Sequence, residues 1–142
     1  MRRTLGTLAL ALLLTTAGCG DDTDATTPVT EVAEVAVLTA TSAGGQVTTR
    51  PTLLPDERAV REYVEVFRND RLQREIVQAA QEAEVPDDRQ LAAAVVAIGC
   101  EVPTRVTGSA TGDQLTVNAV LPSPTKQCFA PITSVALVLV PA

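Results

Sequence analysis

LAAAVVAIGCEV, residues 91–102, can be read in two ways, and the choice decides the fold. Its length allows a helix, and Ala92-Ala93-Ala94 favours one. Val95, Val96 and Ile98 favour a strand, and Gly99 and Pro103 bound it as strand ends are bounded. A short apolar run with no polar alternation is the pattern of a strand buried on both faces. We read it so, which requires packed material on each side. Downstream, Arg105–Ala110 and Gln114–Leu121 flank Thr111-Gly112-Asp113 and predict a hairpin. In its second arm Leu115, Val117, Ala119 and Leu121 share a face, opposite Thr116, Asn118 and Val120. Pro122–Pro131 is a loop with three prolines, and Ser134–Val140 is a last apolar strand.

Upstream, Pro55–Glu84 carries helical periodicity. Pro55 suits a first turn, and Asp56-Glu57 suit the positive end of a helix dipole. Val60, Tyr63, Val64 and Phe67 form one apolar stripe; Glu57–Arg61, Arg58–Glu62 and Arg61–Glu65 are charge pairs at i,i+4. Asn69-Asp70 interrupts it, and Asp70 with Gln73 resembles a capping box. A second stripe runs Leu72, Ile76, Ala79, Ala80, Ala83. Two helices are expected, or one kinked near Asn69, ended by Pro86. Before them, Glu31–Thr41 alternates as a strand, and Ser42-Ala43-Gly44-Gly45 supplies a turn. Gln46–Arg50 is then expected as the second arm of a hairpin. The order is ββ-α-ββββ. It predicts an α+β fold, an antiparallel sheet with one or two helices packed on one face.

The chain has 142 residues, 46% hydrophobic, which suits one domain and is too apolar for a wholly disordered chain. Its net charge of −6 argues against nucleic acid as a partner. With no His, no Trp, one Tyr and two Phe, it excludes a His-based catalytic dyad, a His-ligated metal and an aromatic base-stacking platform. Ser109, Ser123 and Ser134 have no His to activate them, and Lys126 has no recognisable spacing to any of them. Glu101 and Asp113 are not a specific acid pair, and no phosphate-cradling glycine loop is present. Tyr63 and Phe67 are expected in the core. No catalytic residue, no cofactor and no metal are expected.

The N-terminus carries the strongest signal. Met1-Arg2-Arg3 is a short positive segment, and residues 5–14 form an apolar run of ten, half of the ~20 that span a bilayer. Small residues follow, ending in Ala17-Gly18-Cys19. This is the layout of an export signal. A buried Leu/Ala helix and an ordinary secretory signal with a free Cys19 are the alternatives. Ala17-Gly18-Cys19 after such a run resembles the lipobox of bacterial lipoproteins, and the Arg-rich, Ala/Val/Thr-rich composition looks actinobacterial. The resemblance covers residues 1–19 and departs at Thr16, where the family prefers Leu. It implies diacylglycerol on the Cys19 thiol and cleavage after Gly18. Two or three acyl chains hold a protein stably on a membrane where one does not. Loss of residues 1–18 removes Arg2 and Arg3 and takes the net charge to −8.

The resemblance organises the rest. Residues 1–18 would be the signal peptide, 19–30 the lipidated Cys and an acidic tether, and 31–142 the globular domain. In the tether, Asp21, Asp22 and Asp24 have no fixed geometry and read as solvated spacer. Export implies an oxidising compartment, so Cys100 and Cys128 are expected to form a disulfide. The chain from residue 91 on also resembles a domain of a protease-complex stabilising subunit. The Gly-Gly-Tyr segment of that family has no match, so no residue is carried over. The expected function is a non-enzymatic surface lipoprotein at the extracytoplasmic face of the bacterial cell membrane. Its partners would be the membrane, through the lipid on Cys19, and a protein or envelope component. The alternatives are an envelope enzyme without His and a carrier holding an apolar small molecule in a cavity beneath the helices.

Overall fold

Residues 91–99 are extended, as their Val and Ile content predicts. In the computed structural model, which describes residues 30–124 and 127–142, they belong to β4 (Arg89–Gly99). β4 lies inside a four-stranded antiparallel sheet of order β2-β7-β4-β3, with β2 at Ala33–Thr41, β3 at Thr52–Leu53 and β7 at Ile132–Pro141. Leu91–Ala97 are buried without a break. Alternate side chains enter two separate cores, because successive residues of a strand point to opposite faces. Leu91, Ala93 and Val95 join Val135 and Leu137 of β7 on one side. Ala92, Ala94 and Val96 join Ala136, Val138 and Val140 on the other.

The first core is roofed by two helices, α1 (Glu57–Val64) and α2 (Asp70–Glu82). α1 buries Val60 and Val64, and α2 buries Leu72 and Ile76. The caps differ by one residue from expectation. Asp56 caps α1, accepting from the Ala59 N–H at 2.8 Å, so Pro55 stands outside the first turn. Asn69, not Asp70, caps α2, accepting from the Leu72 N–H at 3.0 Å. Asn and Asp are about equal as caps, so adjacent candidates are decided by the backbone around them. Gln73 then does not complete a capping box; its amide donates to the Phe67 carbonyl at 2.6 Å.

The second core is closed by a further sheet of order β1-β5-β6, where β1 is Thr30–Glu31, β5 Arg105–Thr111 and β6 Gln114–Val120. The β5–β6 hairpin forms as expected, turning at Gly112. Its Val106 and Val117 are buried against the Ala-rich face of β4 and β7. The class is therefore α+β with both helices on one face, and the strands divide between two sheets rather than forming one.

β1 and β2 are one strand that changes sheets. Thr30 and Glu31 pair with Ala110 and Ser109 of β5, and after Val32 the chain pairs with β7. At the crossing, a Glu34 carboxylate oxygen accepts from the Val106 N–H at 2.7 Å. The N-terminal hairpin does not form. β2 pairs with β7, and Gln46–Arg50 is not a strand. The chain from Thr48 onward instead runs beside β4: the Thr48 N–H donates to the Val95 carbonyl, Thr52 and Leu53 pair with Ala93 and Ala92, and the Leu54 N–H donates to Leu91. The reason is burial. Val47 is the arm's one large apolar residue and stays half exposed, whereas β7 carries apolar side chains on both faces and so extends both cores beside a partner strand. The Thr49 carbonyl also accepts from Val117 of β6, tying the two sheets on their second side.

Candidate functional site

α2 changes character along its length. Its first half carries Leu72 and Ile76, both fully buried, and there the helix is closed onto the sheet. Its second half carries Ala79 and Ala80, followed by Ala83 at the C-cap, all only partly buried. An Ala methyl cannot fill the space a Leu would. These alanines still pack against the first core, and beside them a groove of about 640 Å³ opens between α1, α2 and the start of β4, with Val77, Ala80 and Gln81 as its α2 wall.

The floor and walls are aliphatic: Leu54, Val60, Val77, Ala80 and Leu91. The polar residues are Asp56, Glu57, Arg61, Gln81, Arg89 and Gln90. Most are turned to the protein's own needs. Asp56 caps α1, and Arg61 pairs with Glu57 at 3.1 Å rather than with Glu65. Gln90 donates to the Pro141 carbonyl at 2.9 Å, and Arg89 to the Glu31 carbonyl at 3.0 Å. Among the described residues no aromatic ring, hydroxyl or thiol lines the groove. Its size falls in the ~300–1,000 Å³ range of small-molecule sites. Such a lining can desolvate an apolar guest. It offers no hydroxyl or thiol nucleophile and no set of donors converging on one atom.

Cys100 and Cys128 form a disulfide, with Cα atoms 5.4 Å apart. It pins the proline-containing loop to the exit of β4. Beside it Phe129 is fully exposed, with Val102 and Leu121 also exposed, at the end of β4 away from the groove. Tyr63 and Phe67 are core residues: Phe67 is buried, and Tyr63 packs against the same cluster with its hydroxyl buried and unpartnered among the described residues. Burial pushes that phenol well above its ordinary pKa. Ser109 lies within hydrogen-bond distance of the Thr116 hydroxyl, Ser123 sits in the loop, and Ser134 is buried on β7 with its hydroxyl unpartnered among the described residues. Glu101 follows β4 and Asp113 lies in the β5–β6 turn, at opposite ends of β5, so they form no pair. Cys19, the acidic residues 21–24 and Lys126 lie outside the described residues. Among the described residues no His, Cys, Asp or Glu cluster could hold a metal, and no helix is long and apolar enough to cross a membrane.

No protein-family model matches the chain, and no curated protein or solved structure resembles it at a significant level.

The groove has no motif in the sequence. The signal that could have located it is Ala80, the small residue of the α2 stripe that lines it. Side-chain volume, rather than hydrophobicity, carries that signal.

Proposed function

We propose that this chain is an exported lipoprotein, held at the extracytoplasmic face of a bacterial membrane by a lipid on Cys19, whose domain binds and does not catalyse. The observation that carries this is the N-terminal series Arg2-Arg3, the apolar run of residues 5–14 and Ala17-Gly18-Cys19. The Cys100–Cys128 bridge supports it, because disulfides persist in oxidising compartments outside the cytoplasm. The aliphatic groove supports a second, compatible reading: the domain carries an apolar small molecule beneath its helices. The test is Cys19→Ala in a producing cell fed labelled fatty acid. The parent chain takes up label and stays with the membrane; the variant carries none. A variant that remains labelled and membrane-bound overturns the assignment.

A further inference from the structure

We propose that the groove between α1, α2 and β4 takes one acyl chain of a lipid of the membrane to which the protein is anchored. This rests on the anchored reading. Three observations point to an acyl chain rather than to a peptide, a ring system or a second copy of the chain.

The first is chemical. Leu54, Val60, Val77, Ala80 and Leu91 present only aliphatic carbon to a guest. Polar atoms pressed on such a surface lose water and gain no partner. A peptide brings an N–H and a C=O with each residue, and the floor satisfies neither. The preceding segment of this chain is a poor occupant too, since residues 20–29 have only Ala25, Pro28 and Val29 as apolar content. A ring system finds no aromatic partner. An alkyl chain needs only apolar contact.

The second is position. Arg89 lines the groove and also donates to the Glu31 carbonyl at 3.0 Å. Glu31 belongs to β1, the first described strand, so Arg89 links the groove's β4 end to the start of the described chain. Gly20 to Thr30 are eleven residues. Fully extended they reach ~35 Å, and any less extended tether holds the groove nearer the lipid surface. The exposed apolar end at Phe129 lies at the far end of β4.

The third is energetic balance. An acyl chain in the bilayer is already out of water, and in the groove it exchanges one apolar surrounding for another. Exchange is therefore reversible, as loading and release of a lipid require. At the rim, Arg89 keeps guanidinium N–H groups beyond the one bonded to Glu31 for an anionic headgroup.

The test uses the full chain, purified from membranes and reconstituted in phosphatidylglycerol–phosphatidylcholine vesicles. The vesicles contain phosphatidylglycerol with a diazirine near the end of one acyl chain. After irradiation and digestion at arginine, mass spectrometry locates the adducts. The expected result is labelling concentrated on the peptides with Val77, Ala80 and Leu91, and its loss in Ala80→Trp, which fills the groove. Where Ala80→Trp fails to fold by circular dichroism, Val77→Gln, which makes the floor polar, replaces it with the same expectation. Labelling that is absent, scattered, confined to residues 20–29 or unchanged in a folded groove variant overturns the proposal, as do cross-links between copies. An alkaline wash of the same vesicles separates the two readings. A chain that stays bound but is unlabelled in the groove defeats the groove assignment alone, and a chain that washes off defeats the anchor.

Discussion

Tyr63 meets Phe67 edge-on, with ring centroids 5.7 Å apart and planes inclined at 68°. Phe67 lies beyond the end of α1, where its N–H donates to the Val64 carbonyl and its backbone bridges to Gly44. Gly45, at positive φ, leaves room for the ring: a Cβ there would come within 3.0 Å of Phe67 Cε1 and 3.1 Å of Val95 Cγ2. Phe67 thus joins helix, loop and sheet at one point. Phe67→Ala is expected to lower stability by about 3–5 kcal/mol through lost transfer energy and the cavity left behind. Urea unfolding measures it, and an unchanged midpoint would place the ring outside the core.

The Tyr63 phenol gives stability a dependence on alkaline pH. Its folded-state pKa is raised above the ordinary 10.0 by burial. The unfolded chain therefore loses the proton first. Between the two pKa values the folded state holds more protons, and stability falls as pH rises. Below the unfolded pKa the group contributes no slope. The fall is expected to begin near pH 10, at up to about 1.4 kcal/mol per pH unit. Tyr63→Phe removes this component, and it also removes a buried hydroxyl with no partner among the described residues, so it should not destabilise at neutral pH. Thermal melts of both proteins from pH 7 to 11 provide the comparison.

Two glycines are expected to respond in opposite directions. At Gly108 an added Cβ would collide with the Thr116 carbonyl oxygen and come within 3.0 Å of Val32 Cβ. Backbone on one side and a β-branched residue on the other leave little to yield, so Gly108→Ala should cost about 1–3 kcal/mol. At Gly99 a Cβ meets nothing within 4 Å and φ is not positive. Gly99→Ala should stabilise by about 0.4–1 kcal/mol, by restricting the unfolded chain. Melting temperatures of the pair check both signs.

Removing the disulfide with Cys100→Ala and Cys128→Ala together should cost about 3.5 kcal/mol on the chain-entropy account of a cross-link spanning 28 positions. Hydrogen exchange should then quicken in residues 127–131 and at the end of β4 near Gly99. The amides of Leu91–Ala97, central to the sheet, should remain among the slowest in the domain.

What was legible in the sequence was local or binary. A run such as Leu91–Ala97 announces burial on both faces without reference to any other segment. The β5–β6 hairpin follows from Gly112 between two alternating arms, and the helical stripes from their own spacing. What was not legible depended on distance along the chain. β2 chose β7, nearly one hundred residues away, over the nearby Gln46–Arg50, since alternation tells that a strand has two faces and not which strand lies beside it. Ser42-Ala43-Gly44-Gly45 is turn-like, but its Gly44 carbonyl accepts from Thr133 and its Ala43 carbonyl from Arg68, so it serves as a corner between three elements. The division into two sheets followed from the same cause, because the change of partner at Val32 breaks no local rule. The groove was hidden for another reason: it is an absence of volume, and hydrophobic pattern registers only presence.

The strand that changes sheets also sets how the domain bears a mechanical load. A pull on the chain before Thr30 acts first on β1, two residues held to β5. Behind it stands β2, nine residues long and paired with β7 along its length. Two paired residues resist less than nine, so the short segment should yield first, and each residue peeled off releases ~3.4 Å of chain. Peeling carries away Glu31 and with it the hydrogen bond that holds Arg89 at the groove's rim. Tension on the chain ahead of Thr30 and the shape of the groove's mouth would then be coupled, with β1 as the yielding link that spares the sheet behind it.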